Sequence, residues 1–119
     1  MSSNAVWSTS SSIIIWEFNG IPDFNIQNYH NADSVVFGAY IKSEDVATNC
    51  ILELYDETND TVIANSSIRT NSTSYVWVTT SFNFLNEFPK EPIDLRMKLT
   101  SDNGANVSLR VPRLILLWE

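Results

Sequence analysis

Carboxylates are the first residues to consider for chemistry in this 119-residue chain, with fourteen Asp and Glu against seven Lys and Arg. Asp56, Glu57 and Asp60 fall in one polar stretch, and Glu44 and Asp45 in another. A glycosidase needs two acids on opposite sides of its substrate, one of them in a pocket that raises its pKa. Acids in polar turns are usually solvated caps, so these clusters point away from catalysis. Residues 56–60 do offer the oxygen-rich chemistry of a hard-cation site, with Asp56 and Asp60 as calcium donors. They lack the Gly and closing Glu of an EF-hand loop, and a plain turn is the simpler expectation.

Nucleophiles are equally sparse. Cys50 is the only cysteine, so no intrachain disulfide is possible. Its setting, Asn49-Cys50-Ile51-Leu52, is an apolar run that predicts a buried structural thiol. His30 is the only histidine, and any Ser-His-Asp triad would have to use it. No Gly-x-Ser-x-Gly elbow occurs, and three glycines in all leave no phosphate-cradling loop. One Cys and one His make no zinc set. The expectation is a protein with no catalytic residues and no cofactor.

The formal charge is −7, and no run of like charge occurs. The seven bases, Lys42, Arg69, Lys90, Arg96, Lys98, Arg110 and Arg113, are interleaved with acids and promise no phosphate-binding face, which argues against nucleic acid as a partner. The start of the chain has no basic n-region, and Ile13-Ile14-Ile15-Trp16 is too short for a signal peptide core or a membrane span. The expectation is synthesis in the cytosol without a membrane partner, with any route outside the cell passing through assembly into a particle. Without a signal peptide, the Asn-x-Ser/Thr matches at Asn59, Asn65, Asn71 and Asn106 read as turn and strand-edge residues rather than glycosylation sites.

Aromatic residues remain: six Phe, four Trp and four Tyr, more than a small core needs. Exposed aromatics stack on sugar rings or anchor protein interfaces. Phe37, Phe82 and Phe84 are assigned to the core. Trp77 faces away from the Val76/Val78 row, Trp7 sits on a Ser-rich arm, and Trp118 is next to the last residue. Phe24, Tyr29 and Tyr40 are further candidates for exposure. Val6, Trp7, Tyr75, Trp77 and Trp118 are the candidate contact residues.

The elements that must position these residues read as strands throughout. Residues 11–18 are β-branched and aromatic, residues 34–43 alternate Val35, Phe37, Ala39 and Ile41 against a second face, and residues 48–55 alternate Cys50, Leu52 and Leu54. Further strands are predicted over 61–68, 74–84, 93–100 and 105–118, with Leu95, Met97 and Leu99 inward on the third of these. Residues 20–33 read as a long connection. Asp102-Asn103-Gly104 predicts a type I′ hairpin, and Pro112 predicts an edge position or a bulge. The sum is an all-β, antiparallel β-sandwich of seven to eight strands, jelly-roll-like, with an extended N-terminal arm over 1–12 and a single domain over 13–119.

The stretches Leu52-Glu53-Leu54-Tyr55-Asp56 with the turn after it, Thr73-Ser74-Tyr75-Val76-Trp77-Val78, then 93–101 and 107–116, follow a strand–turn rhythm. Over about residues 35–118 this rhythm resembles jelly-roll modules of tailed-phage virion accessory proteins, and it is also similar to carbohydrate-binding modules. The resemblance carries no catalytic residue and no ligand site onto particular positions. It implies a non-enzymatic virion structural protein: a capsid decoration or cement protein, a homotrimer that contacts a major capsid protein and is located in the virion. The alternative it implies is a carbohydrate-binding module or the receptor-binding tip of a phage fibre, with a glycan as partner.

Overall fold

A computed structural model describes residues 6–8, 12–16, 20–29 and 32–117. Among these residues, ten strands make two antiparallel sheets. They are β1 (Val6–Ser8), β2 (Ser12–Trp16), β3 (Gly20–Phe24), β4 (Ser34–Ser43), β5 (Cys50–Asp56), β6 (Thr61–Val62), β7 (Ile68–Thr70), β8 (Val76–Thr79), β9 (Ile93–Ser101) and β10 (Val107–Leu117). The front sheet has the order β1-β2-β10-β4-β8, and the back sheet β3-β9-β5-β6 with β7 also on β5. Since β6 and β7 lie in line along one side of β5 and β1 is an outer addition, eight strand positions remain. Their orders, β2-β10-β4-β8 and β3-β9-β5-β6/β7, are those of a jelly roll.

The period-2 pattern builds the core as expected. Val35, Phe37, Ala39 and Ile41 of β4 face Cys50, Leu52 and Leu54 of β5, closed by Leu95, Leu114 and Leu116, all buried. Removing each of the Val, Ile, Leu and Phe side chains from water contributes about 1.5–3 kcal/mol. Cys50 is a buried thiol, its Sγ 3.9 Å from the Ser108 carbonyl oxygen, and burial raises its pKa. The arm predicted over 1–12 contributes Val6–Ser8, paired with Ile13–Ile15 of β2.

Several boundaries differ from the sequence reading, and in most of them a polar side chain takes over a backbone bond. The strand predicted over 74–84 stops at Thr79. Thr80 N–H still donates to the Phe37 carbonyl, but the Phe37 N–H turns to Thr80 Oγ1. Asn83 Oδ1 then accepts from Val35 N and Leu85 N, and its Nδ2 donates to the Asp33 carbonyl. The chain leaves the sheet into a 3₁₀ turn (Leu85–Glu87). Phe84 stays buried, whereas Phe82, expected in the core, is 70% exposed.

The strand predicted over 61–68 is broken between β6 and β7. Asn65 has φ 64° and the Ser66 hydroxyl stands in for the ladder, accepting from Leu54 N and donating to the Ile63 carbonyl. The connection predicted over 20–33 holds β3 and a 3₁₀ turn (Ile26–Tyr29), with Phe24 and Ile26 in the core. Pro22 is tolerated because β3 is an edge strand, and its register shifts between Ile21 and Phe24, where Asp23 has φ 56°. On β9 Leu95 is buried, but Leu99, expected inward, is 36% exposed. Among the described residues, β3 pairs β9 from Phe24 opposite Ile93 to Gly20 opposite Arg96.

Residues 102–106 form a turn but not the expected hairpin, because β9 and β10 belong to different sheets. Only Gly104 there has positive φ, 87°, so the type I′ geometry is absent. Asp102 accepts from Asn49 N and Nδ2, and Asn103 Oδ1 accepts from Thr48 Oγ1, clipping this turn to the β4–β5 loop.

Candidate contact face on the front sheet

Pro112 produces a bulge in an inner strand, not an edge. Arg110 pairs with Tyr40 and Arg113 with Gly38, so Val111 and Pro112 together oppose Ala39. Val111 takes φ 50°, which for a β-branched residue costs about 1–3 kcal/mol. The geometric result is specific. Residues three apart on a regular strand point to opposite faces; the extra residue puts Arg110 and Arg113 on the same outer face while Leu114 and Leu116 return to the core.

Tyr75, Trp77 and Tyr40 meet them there. Tyr40 and Trp77 are a cross-strand pair, 40% and 38% exposed, with ring centroids 5.1 Å apart at 56°. Lys42 Nζ lies 5.2 Å and Arg110 Cζ 4.8 Å from the Tyr75 ring centre. Arg113 Cζ lies 5.5 Å from that of Trp77. Against the sheet, the indole covers Gly38: a Cβ there would stand 2.7 Å from Trp77 Cζ2. The face is therefore a lattice in which each cation sits within cation–π range of a ring. Lys42 also pairs with Glu44 Oε2 at 3.2 Å. Tyr40, Tyr75, Arg110 and Val111 line a groove of about 320 Å³, at the small end of ligand-sized concavities and sized for one side chain or one sugar.

Of the predicted contact residues, Tyr75 and Trp77 come together on this face. Val6 and Trp7 lie in β1 at the far edge of the same sheet, where the backbone alone is described. Trp118 and His30 lie outside the described residues. Tyr40 had been one aromatic among several. Arg110 and Arg113 were missed as site residues because seven scattered bases look featureless; the signal was Pro112 between them, which changes the side-chain parity of the strand.

The turn carboxylates have partners close by. Asp56 is fully buried and accepts from Asn59 N at 3.0 Å and Asn59 Nδ2 at 2.7 Å. Tyr55 OH donates to Asp60, and that bond raises the Tyr55 pKa. No group of three or more His, Cys, Asp and Glu side chains able to hold a metal occurs among the described residues. A second groove, about 420 Å³, is lined by Ile26, Gln27, Leu85, Asn86, Phe88 and Lys90 between the two 3₁₀ turns. Its Phe88 ring belongs to the buried stack with Phe24 and Phe84.

The chain matches no protein-family model and no curated protein.

Proposed function

We propose that the protein is a non-enzymatic contact module, a decoration or cement protein of a virion, held to a capsid protein by the outer face of its front sheet. The observation that carries this reading is the Tyr40–Tyr75–Trp77 cluster with Arg110 and Arg113 on one sheet face. Trp, Tyr and Arg are the residue types that dominate binding energy at protein interfaces. The jelly-roll strand order and the resemblance to phage accessory modules support the virion setting. In this reading the N-terminal arm, with Val6 and Trp7, joins copies into a trimer.

The glycan alternative needs open aromatic faces for sugar stacking. The Tyr75 ring has cations within cation–π range, and the Trp77 ring sits between Gly38 and Arg113. This favours a protein partner.

Light scattering on the purified chain tests the assembly. The expected result is a trimer that dissociates when residues 1–12 are removed, and that persists in Tyr75→Ala/Trp77→Ala while binding to capsids is lost. A monomer indifferent to the truncation overturns the trimer. Capsid binding unchanged in the double variant overturns the assigned face.

A further inference from the structure

We infer that the partner of this face is an acidic protein segment, one that places a carboxylate side chain in the groove between Tyr40 and Tyr75 against the Arg110 guanidinium. The inference rests on the proposed contact function and names the chemistry of its partner.

Three observations carry it. The first is charge placement. Among the described residues, the five strands of the front sheet contain no Asp or Glu, whereas those of the back sheet contain Asp23, Glu53, Asp56 and Asp94. In a chain of formal charge −7, three of the seven cations stand on this one face, where Lys42 is paired with Glu44 just beyond the end of β4. The second is the state of Arg110. It is exposed, and among the described residues no carboxylate lies within 4 Å of it. The Arg110 guanidinium carbon lies 4.8 Å from the Tyr75 ring centre, a contact that leaves the positive charge in place for a planar, bidentate acceptor, which a carboxylate supplies. The third is the groove itself, where the Tyr40 and Tyr75 rings wall the space beside Arg110. Each tyrosine also carries a hydroxyl, a hydrogen-bond donor.

The same features select among anions. A nucleic acid, with one charge per about 1.7 Å of duplex, would meet the net negative charge of the whole chain. A carboxylate on a protein meets the face locally, within a screening length of about 8 Å. An acidic polysaccharide would need stacking surface for its rings, and cations occupy it. Two front faces cannot pair with each other, because that would oppose like charges.

Nuclear magnetic resonance with a poly-L-glutamate oligomer as probe tests the inference. The readouts are the Trp77 indole N–H, assigned with Trp77→Phe, and the Arg110 side-chain N–H. Both are expected to shift on titration, with affinity falling as salt is raised. Arg110→Gln, a surface change, is expected to weaken binding about tenfold, as when one partner of a charged hydrogen bond is removed. Arg110→Lys, which keeps the charge and loses the fork, falls between. Absence of these shifts, or an Arg110→Gln variant that binds equally well, overturns the inference. Tighter binding of polygalacturonate than of polyglutamate overturns it in favour of an acidic saccharide. Failure here is separable from failure of the contact function. If Tyr75→Ala/Trp77→Ala abolishes capsid binding while Arg110→Gln leaves it intact, the face stands and its acidic partner falls.

Discussion

The two outer faces of the sandwich carry the same number of cations and use them differently. The front face has Lys42, Arg110 and Arg113; the back face has Arg69, Arg96 and Lys98. On the back, Arg96 makes a two-pronged contact with Asp94, at 3.1 Å through both Nε and Nη2, and lies 3.5 Å from Glu57. Lys98 stands opposite Glu53 in the ladder and over the Tyr55 ring. On the front, the cations rest mainly on rings. A carboxylate neutralises a guanidinium and occupies its donors. A ring in cation–π range leaves the positive charge in place. Each face thus has one cation in an ion pair, Lys42 with Glu44 in front and Arg96 with Asp94 and Glu57 behind; the front differs in that all three of its cations also lie within cation–π range of Tyr75 or Trp77.

The largest expected effect breaks both faces at once. Phe37 is buried beneath the front sheet, and Phe37→Ala should destabilise the fold by about 3–5 kcal/mol. Denaturant unfolding measures this; a loss under about 1 kcal/mol would mean that the sheets collapse onto the gap and do not depend on it.

The next separates the faces. Gly38→Val puts a side chain where Trp77 Cζ2 would lie 2.7 Å from its Cβ. The indole must lift off the front sheet, at about 1–3 kcal/mol for overpacking. The Trp77 indole resonance should move while the back-face signals of Tyr55 and Lys98 stay in place. A stationary indole would show that the ring does not depend on the glycine.

The smallest effect tests the back face. Arg96 holds the Asp94 carboxyl below its ordinary pKa, chiefly by hydrogen bonding. Asp102 is held low by Asn49, through its side chain first and then its backbone N–H. A carboxyl whose folded pKa is depressed contributes stability that is present above its unfolded value, about 3.9, and is lost as pH falls through the folded value. Arg96→Gln should return Asp94 toward its ordinary pKa and flatten that part of the acid limb of Tm against pH, leaving the Asp102 part. An unchanged Asp94 titration would show that the ion pair does not set it.

The alternation of β4 and β5 made the core readable from residue types alone, because both faces of the pattern are long and unbroken. The jelly-roll class followed from strand spacing. What was not readable was every place where a side chain does a backbone's work. Ser66, Thr80 and Asn83 each accept a main-chain N–H across more than ten residues of sequence. Nothing local distinguishes such a residue from any other Ser, Thr or Asn, so the residue pattern predicts strands straight through positions where the ladder is handed over. The site was half readable: Tyr75 and Trp77 share a face by simple parity, whereas Arg110 and Arg113 join them only once Val111 is counted as the inserted residue of a bulge.

These handovers have a consequence for how the molecule tolerates crowding. Among the described residues, the outer strand positions are all short or interrupted. β1 has three residues and β8 four, β3 carries Pro22 and a register shift, and β6 and β7 are pieces of two and three residues separated by the Ser66 clip. A fibril grows by templating on a long, flat row of unpaired N–H and C=O groups. Among the described residues none of these borders supplies such a row, which disfavours edge-to-edge growth into a continuous sheet when copies are crowded together.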